Sequence, residues 1–171
     1  MRHVLVLATF AALMWPISVR VDAQDASAFT KHFELLQKRA LAAAEEMPEE
    51  GYAARAVPAV RTLGEAVGHS IDTNFGVCAG ARGLESPKKG TNHEKAAMTK
   101  ATLVATLRES FEYCRAFVAD AAATQARPTD VTFLLTHNAQ MLTIMEMQLI
   151  ARGVSIPASE AAVPAAAPIK K

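Results

Sequence analysis

Apolar residues recur at spacings of three and four through four separate stretches of the chain, and nowhere do they alternate over a strand's length. The clearest stretch is TLGEAVGHSIDTNFGVCAGAR, residues 62–82. Leu63, Val67, Ile71, Phe75 and Cys78 make one apolar stripe, and Thr62 with Glu65 three residues on makes a capping box at its start. Gly64, Gly68, Gly76 and Gly80 weaken this helix by about 1 kcal/mol each relative to Ala. Close backbone approach by a neighbouring helix is the expected compensation.

The first helix is predicted over residues 25–46, with Phe29, Phe33, Leu36, Ala40 and Ala44 on one face and His32 on the solvated rim. Met47-Pro48-Glu49-Glu50-Gly51 stops it, and residues 52–58 read as an extended connector. The central helix ends at Gly80, Gly83 and Pro87. A polar crossover at residues 85–97 is long enough for the next helix to run in either direction, and His93 within it reads as a surface residue. Thr99 caps the third helix, whose buried stripe is Leu103, Leu107, Ser110, Cys114, Phe117 and Ala121. Residues 125–128 turn into a fourth helix over 129–152, stopped by Gly153. Its stripe is Val131, Leu134, Leu135, Asn138, Leu142, Met145 and Leu149, and Asn138 there must find hydrogen-bond partners. Met141, Met145 and Met147 are most simply packing residues. The fold class is therefore all-α, a four-helix bundle with one long connection between helices 2 and 3.

Composition agrees: 51% of the 171 residues are hydrophobic but only 6% aromatic, and no internal repeat is visible. The net charge of +1 and the dispersion of charged residues give no electrostatic case for nucleic acid. Arg2 and His3, the apolar run over residues 4–15 and Val21-Asp22-Ala23 form the n, h and c regions of a signal peptide, so residues 1–23 belong to export. The apolar run is shorter than the ~20 residues that span a bilayer, and no stable span is expected after cleavage. A secreted or periplasmic chain then begins at Gln24, with its bundle over residues 24–158 and a disordered Ala/Pro-rich tail over 159–171. In an oxidising compartment Cys78 and Cys114, both on apolar stripes, are either two small buried hydrophobes or a bridge between the second and third helices.

The candidate chemistry lies on the second and fourth helices. His69 falls off the buried stripe, on a flank shared with Thr62, Thr73 and Gly76. His137 and Met141 stand one turn apart on the edge of the fourth helix, a spacing that lets both reach one point. Bundle proteins build metal sites from such side chains on facing helices. No Ser-His-Asp or Cys-His arrangement offers a rival mechanism.

Three segments, AEEMPEEGYAARAVPAVRTLGEAVGHSIDTNF (44–75), ATLVATLRESFEYCRAF (101–117) and FLLTHNAQMLTIMEMQLIARGVSIP (133–157), resemble the DinB-like superfamily. The Met-Pro connector, the Gly-Glu-x-x-x-His run and the closing Gly-x-x-x-Pro carry the resemblance most specifically. It implies an up-down-down-up bundle with a metal site at one mouth, where three histidines bind a divalent ion, commonly zinc or nickel. Known members include thiol-dependent transferases and isomerases, alongside many of unknown activity. His69 matches the first ligand position and His137 the second, while Met141 occupies the third and Leu142-Thr143-Ile144 replaces the rest of the pattern. A neutral thioether suits zinc poorly. Three readings follow: a degenerate, non-enzymatic member with a binding or structural role; an enzyme with a weakened two-His site that recruits Glu65, Asp72 or His93; and a periplasmic copper(I) site of His69, His137 and Met141. The expected partner is a small molecule or a protein, with a homodimer as one arrangement.

Overall fold

The computed structural model describes residues 23–124 and 127–158. The expected signal peptide, apart from Ala23, the middle of the turn at 125–126 and the expected tail lie outside the described residues. Four helices make up the fold: α1, Ala23–Glu46; α2, Leu63–Ala81; α3, Lys100–Thr124; and α4, Pro128–Ala151. Among the described residues there is no strand, and no helix is long and apolar enough to cross a membrane.

Cross-helix contacts give the directions. Asn74 meets Ser110 and Cys78 meets Cys114, so α2 and α3 run parallel. His69 packs on His137 while Arg61, just before α2, takes a hydrogen bond from Gln148, so α2 and α4 are antiparallel. Glu34 pairs with Arg115 and Glu45 with Arg108, so α1 and α3 are antiparallel too. The order is up-down-down-up, with α3 and α4 flanking α2 on either side and closing against α1.

Helix boundaries follow from local chemistry. The capping box of α2 is formed: Thr62 Oγ1 accepts from Glu65 N at 3.1 Å, and Glu65 Oε2 accepts from Thr62 N at 2.8 Å. Thr99 Oγ1 accepts from Thr102 N at 3.2 Å and caps α3. Pro at the first position sets the start of α4, one residue earlier than the pattern suggests, after Arg127 in a left-handed conformation. Gly83 and Gly153 take positive φ just beyond α2 and α4, where the backbone turns back to satisfy the carbonyls of Ala79 and Leu149.

All the stripe residues read from α2, α3 and α4 are buried. So are those of α1 apart from Phe29, which is partly buried against the core. Phe111 and Val118 on α3 and Met141 and Gln148 on α4 join them. Met147 departs from its expected packing role and is 39% exposed, because the core face is already filled by Met145, Gln148 and Leu149. A polar seam crosses the middle of this core. Asn138 Nδ2 donates to Asn74 Oδ1 at 2.8 Å and to the Leu134 carbonyl at 2.9 Å. Asn74 Nδ2 donates to Ser110 Oγ at 3.1 Å, and Ser110 Oγ to the Leu107 carbonyl at 2.8 Å. Orphaning one such group costs about 1–3 kcal/mol, so the seam penalises a slip of α2, α3 or α4 past one another. Beside it Cys78 and Cys114 form the disulfide, with Cα atoms 5.4 Å apart.

Two expectations need correction. Residues 52–58 are not extended: a 3-10 turn at Glu49–Gly51 and successive turns fold the connector back, because Tyr52 is buried and its hydroxyl donates to the Ala44 carbonyl at 2.5 Å. The glycines of α2 do not receive a neighbouring helix. A Cβ on Gly68 would lie 2.5 Å from the His93 carbonyl carbon and 2.6 Å from Glu94 N, so the crossover's backbone packs there instead. Gly64 lies against the Tyr52 carbonyl, while Gly76 and Gly80 face open space.

These surroundings set opposite outcomes for the same substitution. Gly68→Ala should destabilise by about 1–3 kcal/mol through overpacking against rigid backbone. Gly76→Ala should stabilise by about 0.5–1 kcal/mol, because only helix propensity changes. Urea unfolding of both variants beside wild type checks the sign of each.

Candidate functional site

The site grows from the way the crossover is fastened to α2. On that helix His69 and Asp72 stand three residues apart, and on the crossover His93 and Glu94 are adjacent. They pair in a reciprocal fashion. His69 Nδ1 lies 2.7 Å from Glu94 Oε2, and His93 Nδ1 lies 2.5 Å from Asp72 Oδ1. Backbone amides add to the second pair, with His93 N and Glu94 N donating to the two Asp72 oxygens at 3.2 and 3.3 Å. His93 is only 4% exposed, contrary to the surface position expected of it, because this carboxylate satisfies its ring and main chain together.

Arg61 Nε donates to Glu94 Oε1 at 2.8 Å. Burial alone would raise the Glu94 carboxyl, but hydrogen bonds from Arg61 and His69 and their charges outweigh it and hold the group below its ordinary value. An ionised carboxylate only accepts, so His69 Nδ1 donates to it. His137 lies beside it, with ring centroids 5.0 Å apart. Burial, then the charges of His69 and Arg61, lower the His137 pKa and favour its neutral form. Its Nε2 is buried without a hydrogen-bond partner. On its other side Phe133 stacks at 5.7 Å, with ring planes 19° apart.

The arrangement brings the rings of His69 and His137 into contact: one imidazole oriented by a carboxylate, the other with a buried nitrogen that makes no hydrogen bond. The first is the support that metal-bound histidines ordinarily have. Met141 lies 5% exposed within the apolar core, packed as a hydrophobe. The suggested substitutes are engaged elsewhere. Glu65 serves the capping box and pairs with Arg55, and Asp72 and His93 hold each other. Among the described residues no group of three His, Cys, Asp or Glu side chains could hold a metal ion. Two imidazoles and a thioether in the core do not fit an open catalytic zinc centre, which takes three protein ligands of nitrogen, sulfur anion or oxygen.

Glu94 and Arg61 escaped the sequence reading, as did the stacking of Phe133. The signal for Glu94 was the complementarity of His-x-x-Asp on a helix with His-Glu in a crossover, which becomes visible once the two are known to be adjacent.

Both perturbed groups lose stability on acidification, in separate ranges. Glu94 titrates lower in the folded chain, so its contribution is present above its ordinary carboxylate range and lost as pH falls through the folded value. His137 also titrates lower when folded, so the unfolded chain takes its proton first and stability falls as pH drops through about 6.5. Glu94→Gln should flatten the lower part of a stability-versus-pH curve and His137→Phe the upper part, measured by denaturant unfolding across the acid range.

No curated protein and no solved structure matches the chain. A family model described as the DinB superfamily matches residues 32–145, about two thirds of the chain, from α1 into the last helix. That match, on the four-helix architecture, makes the chain a member of the DinB superfamily.

Proposed function

We propose that this protein is an exported DinB bundle that acts by binding or as a structural element rather than by catalysis, its ancestral metal site reduced to a histidine pair. One observation carries the reading: the side chain at the third ligand position, Met141, is a core residue. The chemistry left at the pair is that of two imidazoles in ring contact, one oriented by Glu94 and one with a buried nitrogen that makes no hydrogen bond. The competing reading, a metal-dependent transferase or hydrolase with a weakened site, draws on the orphaned His137 Nε2 beside His69. A soft cation such as copper(I) is the third, since two imidazoles and a thioether suit it better than zinc.

Calorimetric titration with zinc, nickel and copper(I) separates the three. Wild type is expected to bind zinc and nickel weakly. Met141→His should raise zinc affinity by far more than the tenfold that corresponds to about 1.4 kcal/mol, since it adds a whole ligand bond. His69→Ala in that background should abolish the gain. Tight zinc binding by wild type would favour the enzyme reading, and selective copper(I) binding the third.

Export is supported by the n, h and c regions of residues 1–23 and by a disulfide, a bond that persists in oxidising compartments. Intact mass of protein recovered from the exported fraction should show a chain beginning at Gln24 and lacking the two thiol hydrogens. A chain retaining residues 1–23 would overturn the export reading.

A further inference from the structure

The crossover between α2 and α3 is held unevenly along its length. Residues 82–85, 89–92 and 95–97 are exposed, whereas His93 is buried and Glu94 partly so. Before that point Lys88 pairs with Glu109 at 3.0 Å and stands 5.5 Å from the centre of the Phe75 ring. Beyond it Thr99 caps α3, and Lys100 N donates to Glu49 Oε1 at 3.0 Å. Between these anchors the hydrogen bonds to α2 run through His93 and Glu94.

Those two residues ride on one closed turn. Asn92 O accepts from Ala96 N and Asn92 Oδ1 from Lys95 N, both at 3.0 Å, so residues 92–96 are tied to one another independently of α2. On the N-terminal side Gly90 has a φ of 83° and nothing within 4 Å of where a Cβ would lie, which leaves the chain room to pivot. The helix beneath keeps its place without the turn, because the Cys78–Cys114 bond and the Asn74 seam fasten α2 to α3 and α4.

We propose that residues 92–96 form a lid on the histidine pair, which lifts from α2 as one piece and sets the His69 ring when it closes. The two histidine–carboxylate pairs form and break together, since His93 and Glu94 are adjacent on the same turn. Lifting it takes Glu94 from His69 Nδ1 and from Arg61 Nε at once, and uncovers the Gly68 backbone. The bonds that hold it lie within reach of water: the Asp72, Glu94 and His69 side chains are 27, 25 and 26% exposed. Openings across such bonds cost less than global unfolding. A ligand that needs His69 in its closed orientation holds the lid shut, by linkage. The use of the lid rests on the pair being a binding site; its motion does not, and is read without ligand.

Hydrogen exchange of the chain from Gln24, followed residue by residue by NMR, tests it. The His93 and Glu94 amides should exchange at rates that low urea leaves unchanged, while those of Ile71 and Phe75 speed up as urea lowers global stability. Gly76→Ala, which strengthens α2, should slow the helix amides and leave the lid amides alone. Glu94→Ala should speed exchange of the His93 amide by about tenfold or more, although its acceptor Asp72 is intact. Asp72→Asn should in turn speed exchange of the His69 Nδ1 proton, although Glu94 is intact. Circular dichroism and the retained disulfide confirm the fold of each variant. Lid amides that exchange only along with the helix amides, through global unfolding, would overturn the proposal. So would pairs that respond independently, with the His93 amide in Glu94→Ala and the His69 proton in Asp72→Asn at wild-type rates. A lid that moves as expected over a pair that takes up none of zinc, nickel and copper(I) supports the lid and counts against metal at the pair.

Discussion

Two parallel neighbouring helices cannot be joined by a short turn, and this bundle depends on how it meets that constraint. The chain must travel back along the length of α2 before α3 can begin, and residues 82–99 do so against the helix itself. Gly68 lets the crossover's backbone lie where a side chain would otherwise stand. The two histidine–carboxylate pairs then hold it from both sides, each contributing one imidazole from one segment and one carboxylate from the other. Without that fastening His69 would have no partner on Nδ1, and the site would lose its orientation along with the fold's longest connection.

The architecture was legible because its signals are periodic. Leu63, Val67, Ile71, Phe75 and Cys78 announce a helix face regardless of what they pack against, and Thr62 with Glu65 marks its start by local chemistry alone. The histidine pair was legible through spacing and resemblance, and the structure sets its rings in contact. What escaped depends on segments distant in sequence. His93 looked like a surface residue because nothing near it in the chain could satisfy a buried imidazole; Asp72, twenty-one residues away, does so. The connector looked extended because Pro48, Gly51 and Pro58 interrupt helix, yet burial of the Tyr52 ring folds it into turns. Met147 shows the limit of periodicity itself: helical spacing tells that a residue is near a face edge, and which side of the edge it falls is decided by the width of the neighbouring helices.

Membership of the superfamily and the proposed reduction of its metal site are compatible, because they draw on different residues. The core stripes, the capping box and Gly68, which admits the crossover, fix the bundle, and none of them is His69, His137 or Met141. Met141 adds to that core, since a thioether buries without needing a partner.

Gln148 has a consequence for the order of events in folding. Its buried carboxamide accepts from Ala56 N at 3.0 Å and donates to the Arg61 carbonyl at 2.6 Å, satisfying two main-chain groups of the connector between α1 and α2. Those groups precede their partner by 92 and 87 residues. A chain emerging from the N-terminus holds α1, the connector and α2 long before residue 148 exists, and contacts of such sequence separation are the slow ones to form. The hinge between the first two helices therefore stays open to water until the last helix closes the bundle, and a chain truncated before α4 would present this segment, rather than the helices beside it, as its point of entry for a protease.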